Sequence, residues 1–147
     1  MSQILEYSGV QQAVYSSEYS GWWHTNNKIL GTIDNYKHSR SWTMADTFAR
    51  YMGVTVSTTN LYSWSLGLNE GDFIALDFSN DGSWDHLGYV TAKSSSLLSY
   101  SVPSREVSLS YFNFKVAQHT SNYHEWANSS KNSWETYIDG RYGRIRG

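Results

Sequence analysis

NEGDFIALDFSNDGSWDHLGYVTA, residues 69–92, decides how this chain folds. Its opening Asn-Glu-Gly-Asp is a turn. FIALDF, 73–78, is a short apolar run bounded by turn formers, the signature of a strand. SNDGSWD, 79–85, is a tight polar loop whose Asn, Asp and Gly tolerate the backbone conformations a turn demands. HLGYVTA, 86–92, returns to strand composition. The two runs read as an antiparallel hairpin with a seven-residue connection.

Outward from this hairpin the pattern is helices first, strands after. Met1, Ile4, Leu5 and Ser8 follow helical spacing, with Gly9 as a terminating cap. This helix starts abruptly, as a cut helix would. Residues 15–41 read as irregular. Thr43 and Asp46 resemble a capping box, and Met44, Phe48, Tyr51 and Met52 form an apolar stripe that Gly53 stops. SLLSYSV and FKVAQHT read as two more strands, and a short helix is expected near Trp134–Ile138. That order defines an α+β fold in one domain, 1–147, with no repeat or linker dividing it.

Composition narrows the function classes. The net charge is −2 and charged residues are 16%, so no basic surface points to nucleic acid. No run of 18 apolar residues exists, so no membrane span is expected. The N-terminus lacks the basic and long apolar regions of a signal peptide, so an exported protein would carry its targeting signal outside this chain. There are 7 Trp and 12 Tyr; such side chains suit a β-rich core and a sugar or peptide cleft alike. Zero Cys excludes disulfides, thiolate metal sites and a cysteine nucleophile within these residues.

Six pieces in order, SQILEYSGV, GWW, SWTMADTFARYM, NEGDFIALDF, DHLGYVTA and VAQHTSNY, resemble the putative amidase domains of bacteria, relatives of NlpC-type peptidases and CHAP amidases. The likeness runs from residue 1 to about 126. It implies a papain-like cysteine-hydrolase core, with N-terminal helices packed on an antiparallel β-sheet. It also implies a secreted or cell-surface location and a peptidoglycan peptide or glycan as partner. The family carries Asp-Cys-x-Asn-aromatic directly before an apolar-Ser-Gln helix. Met1-Ser2-Gln3 matches that helix start, so the cysteine would precede Met1. The chain is then either an N-terminally truncated fragment or an inactive relative.

The resemblance implies His86 as the catalytic imidazole and His119 as the group that orients it. Gln118 competes with His119, because neighbours on a strand point to opposite faces. Asp85 reads as a turn-stabilising or second-layer residue, Gly88 as keeping the strand surface open, and Trp22, Trp23 and Trp84 as core or cleft walls. No cofactor or metal is expected. Asp77, Ser79, Asp81 and Gly82 mimic a calcium loop, but the final bidentate Glu is replaced by Gly88 and the flanks are strands. His86, His119 and His124 lack the spacing and the further ligand of a zinc site. Three functions stay open: an amidase-like hydrolase domain lacking its nucleophile, a non-catalytic module holding wall glycan or peptide, or a structural surface domain with no cleft function.

Overall fold

The structure, a computed structural model, describes residues 1–13, 17–25, 37–103, 105–118, 123–129, 134–137 and 139–145. Two units are distinguished: Ser2–Gly53, and Met1 with Val54–Gly147.

In the first unit, α1 spans Ser2–Tyr7. It ends where Gly9 adopts φ 86°, with Val10 N–H donating to Leu5 O at 3.1 Å, a left-handed termination that glycine makes without strain. A two-residue ladder joins β1, His24–Thr25, to β2, Lys37–His38. α2, Arg40–Thr43, and α3, Ala45–Met52, follow. The capping box is not formed. Thr43 belongs to α2, Met44 is the N-cap without a side-chain bond, and Asp46 pairs with Arg50 one turn on, at 2.7 Å. The expected apolar stripe is also only partly inward. Phe48 and Ala49 are buried, whereas Met44 and Tyr51 stand exposed. Trp22, Trp23 and Phe48 supply the large buried side chains of this unit.

The second unit is built on an antiparallel six-stranded sheet, so the α+β class holds. Its strands are β3 (Val56–Thr58), β4 (Phe73–Asp77), β5 (His86–Ser101), β6 (Ser108–Gln118), β7 (Tyr123–Trp126) and β8 (Arg141–Ile145). The order across the sheet is β3-β8-β4-β5-β6-β7. The 73–92 hairpin forms as β4 and β5, in register Leu76↔His86 to Phe73↔Tyr89. All five residues of β4 are buried, which explains its continuous apolar run.

Two expectations change here. HLGYVTA and SLLSYS are one 16-residue strand, β5, which ends before Val102 and has register shifts between Val90/Ala92 and Lys93/Leu97. The polar AKSSS stretch is thus a bulged part of the strand: no Gly or Pro there breaks the chain, and bulges absorb the irregularity. The tail helix shrinks to a 3₁₀ turn, Trp134–Thr136; Ile138 lies outside the described residues.

One helix of this unit, α4 (Leu61–Leu66), covers the sheet. Asn60 caps it by accepting from Ser63 N–H at 3.0 Å. Leu61, Trp64 and Ser65 are its buried face, at the three- and four-residue spacing of one helix side. Ser65 Oγ accepts from Phe112 N–H, tying α4 to β6. At its C-terminal end Lys93 Nζ donates to the Leu66 and Leu68 carbonyls and Arg144 to that of Gly67, cations where the helix leaves carbonyls unpaired. Leu61, Trp64, Leu68, Ile74, Leu76, Val90, Phe114, Val116, Trp134 and Tyr142 share one core.

Candidate active site

The loop between β4 and β5 is held from inside. Asp77, fully buried at the end of β4, accepts from the amides of Asp81 at 3.1 Å and Gly82 at 3.0 Å. It also pairs with Arg141 of β8 at 2.9 Å. Burial pushes its carboxyl up, but the Gly82 and Asp81 amides and the Arg141 guanidinium outweigh that and hold it below its ordinary value. Asn80 at φ 56° and Gly82 at φ 98° take the left-handed turns that the loop needs. Asp85 closes the loop: its carboxylate accepts from Phe78 N–H at 2.8 Å, and its own N–H donates to Leu76 O at 2.9 Å. Asp85 therefore acts on backbone and sets the start of β5.

His86 is the residue that this loop delivers. It is half-buried, and its Nε2 lies 3.0 Å from Gln118 Oε1 at the end of β6. The register explains the meeting. Tyr89 faces Ala117, so one step further the ladder brings Gln118 toward Gly88, on the face His86 shares. Gln118 Oε1 also accepts from Trp134 Nε1 at 3.0 Å. Trp134 lies 5.6 Å from the His86 ring, centroid to centroid. Phe78 lies 6.4 Å from the same ring and stacks on Tyr137 at 4.5 Å. Phe78 and Tyr137 are both more than a third exposed.

The other expected site residues fall as follows. His119 lies outside the described residues. Among those described, Gln118 bonds the His86 ring. Gly88 does not leave open space: a Cβ there would stand 2.5 Å from Val116 and 3.0 Å from the Trp134 indole. Trp84 is buried, with the Arg141 guanidinium 4.2 Å over its ring and Gly143 making room for its edge. Trp22 and Trp23 are buried in the first unit, their indole N–H groups donating to Ser2 Oγ and Ser20 O. Ser2 Oγ in turn donates to Trp42 O at 2.8 Å. Of the calcium-like spacing, Asp77 accepts from the Asp81 and Gly82 amides and pairs with Arg141, and Asp81 accepts from the Ser79 hydroxyl and the Ser83 amide.

The sequence reading missed Trp134, Arg141 and the Phe78–Tyr137 pair. Arg141 and Trp134 sit in a tail with weak periodicity, and only their residue types hinted at a role.

A buried carboxylate thus organises a loop that presents a histidine, and an amide oxygen lies at hydrogen-bond distance from its Nε2. The chain belongs to the putative amidase domain family, which it matches over residues 1–142. No curated protein and no solved structure matches the chain.

Proposed function

We propose that this chain is an amidase-like cysteine hydrolase domain on a papain-like core. Its substrate class is the amide bonds of bacterial cell-wall peptides or similar peptides, at the cell surface or outside the cell. The observation that carries the reading is the 3.0 Å pair of His86 and Gln118 in a chain of this family.

The chemistry follows from the imidazole. With its proton on Nε2, toward the Gln118 oxygen, the ring carries its lone pair on Nδ1. A cysteine placed before Met1 would give its proton to Nδ1 and attack the amide carbonyl carbon. The C–N bond breaks, the amine leaves with the Nδ1 proton, and an acyl-thioester forms. Water then adds with Nδ1 taking its proton, and the acid is released as the thiol is regained.

These 147 residues contain no cysteine, and the Ser2 hydroxyl already donates to Trp42 and accepts from Trp22. The chain alone therefore does not hydrolyse amides. Adding Asp-Cys-x-Asn-aromatic before Met1 is the test. The extended chain should react with iodoacetamide at neutral pH faster than free cysteine does, and cleave a muramoyl-peptide. His86→Ala should return labelling to the ordinary rate. A thiol that labels no faster than free cysteine in either form sinks the hydrolase reading.

The second reading is a module that holds wall glycan or peptide without cleaving it. The exposed, stacked Phe78 and Tyr137 beside His86 favour it, because such faces can stack on sugar rings or apolar side chains. Binding of wall fragments by the unextended chain, lost on Phe78→Ala, would support it.

A further inference from the structure

Gln118 can serve His86 in only one of its two amide orientations. With its oxygen toward the ring, it accepts from Nε2–H. Turned over, it would present NH2, draw the lone pair to Nε2 and put the proton on Nδ1, where the thiol needs a base. The amide does not choose by shape, since its oxygen and nitrogen ends are nearly equal in size.

Trp134 makes the choice. Its indole Nε1–H can only donate, so the Gln118 atom 3.0 Å from it must be the oxygen. The same oxygen lies 3.0 Å from His86 Nε2, which must then be the protonated ring nitrogen. The indole cannot swing aside. Trp134 is 1% exposed, stacked on Trp64 at 6.3 Å and 11°, with Phe114 edge-on. Its carbonyl accepts from Tyr142 Oη at 3.2 Å. Gly88 provides its seat, because a Cβ at that position would come 3.0 Å from the ring. Turning Gln118 over would set NH2 against a buried N–H and leave that donor unsatisfied. Such a penalty suppresses the turned form by roughly ten- to a hundredfold.

We infer that Trp134 is a positioning residue, whose indole N–H holds the Gln118 amide oxygen inward and thereby keeps His86 in its Nε2–H form. Its catalytic meaning rests on the amidase reading; the geometry does not. Gln118 touches the imidazole, and Trp134 acts through Gln118.

The test is the ring tautomer of His86, read by nitrogen-15 NMR on the 147-residue chain at a pH where the rings are neutral. His86→Gln identifies its signals among the five histidines. The unsubstituted chain should show the Nε2–H form alone. Trp134→Phe keeps an aromatic ring but removes the donor, and should bring in an Nδ1–H form at roughly a tenth of the population or more. Gln118→Glu added to Trp134→Phe should restore the single form, since a carboxylate accepts through both oxygens. A purely structural role for Trp134 would not be rescued that way. A folded Trp134→Phe chain with His86 still wholly Nε2–H overturns the inference.

If Trp134→Phe does not fold, the unsubstituted chain decides. A lone Nε2–H form with an exchange-protected Trp134 indole proton supports the lock, and an Nδ1–H form overturns it. Because no cysteine is involved, the two readings fail separately. A held tautomer with no reactive thiol in the extended chain removes the amidase reading and leaves Trp134 in its role.

Discussion

β5 has two ends, and they are built differently. At His86–Val90 the strand is laddered to β4 from Leu76↔His86 to Phe73↔Tyr89, and from Tyr89↔Ala117 onward to β6 as well. At Leu97–Ser101 the ladder is to β6, from Leu97↔Phe112 to Ser101↔Ser108, and most side chains are exposed. Two register shifts separate the ends. The candidate imidazole sits at the end that is clamped, next to a loop whose Asp77 and Asp85 carboxylates are held by backbone amides and the Arg141 guanidinium. A site needs side chains held within tenths of an ångström, and a strand with two paired edges supplies that. The bulges fall between the two ends, beyond the segment that carries the imidazole.

The largest effect that would test this difference is at Asp77. Replacing it by Ala leaves Arg141, three-quarters buried, without its carboxylate, and strips the Asp81 and Gly82 amides of an acceptor. Breaking a buried pair from one side costs about 3–5 kcal/mol, and urea unfolding should show a loss of that order. A loss under about 1 kcal/mol would mean that the loop is not what clamps this end. Acid supplies a second reading of the same carboxylate. Its folded pKa is depressed, so its contribution is complete above the ordinary value of 3.8 and disappears as pH falls through the lowered value. Asp77→Asn should flatten that part of the acid dependence of the melting midpoint.

Next in size is Gly88→Ala. One added methyl meets Val116 at 2.5 Å, Trp134 at 3.0 Å and Ile74 at 3.2 Å. Overpacking a filled core of this kind costs about 1–3 kcal/mol. Thermal unfolding of Gly88→Ala should show it, and an unchanged midpoint would mean that the indole is free to move. The sharper version adds the tautomer of His86: displacing the indole should loosen Gln118 as well.

Legibility in the sequence followed locality. The β4–β5 hairpin was readable because its turn residues and apolar runs are contiguous. α1 and its Gly9 terminus were readable for the same reason, since Gly9 needs a positive φ that only its neighbours dictate. The capping box failed because Thr43 finishes one helix rather than starting the next, a distinction that the Ser/Thr-x-x-acid pattern does not encode. β8 was invisible: Arg141 and Arg144 make it look like a solvated tail, yet it inserts between β3 and β4, with Tyr142 buried and Arg141 answering Asp77. For the site, His86 was marked by the resemblance. Strand alternation set Gln118 and His119 on opposite faces without deciding between them, and Trp134 could not be placed without the long-range closure of the sheet.

The smallest expected effect lies at the far end of β5. Leu97 is 54% exposed and laddered opposite Phe112, whose ring also touches Tyr62 at 5.7 Å. Leu97→Ser removes an apolar side chain that is mostly in water already, and Phe112 keeps its second neighbour. No buried polar group is left unpaired. Surface changes of this kind stay within about 0.5 kcal/mol, a shift of roughly 2 °C or less in the melting midpoint of a chain this long. The His86 tautomer should not respond at all, because two register shifts lie between Leu97 and the ring. A loss above about 1.5 kcal/mol would show that the far ribbon is packed as tightly as the clamped end. A change of tautomer would show that its register reaches the site, and the contrast between the two ends would then fail as an account of why the imidazole is where it is.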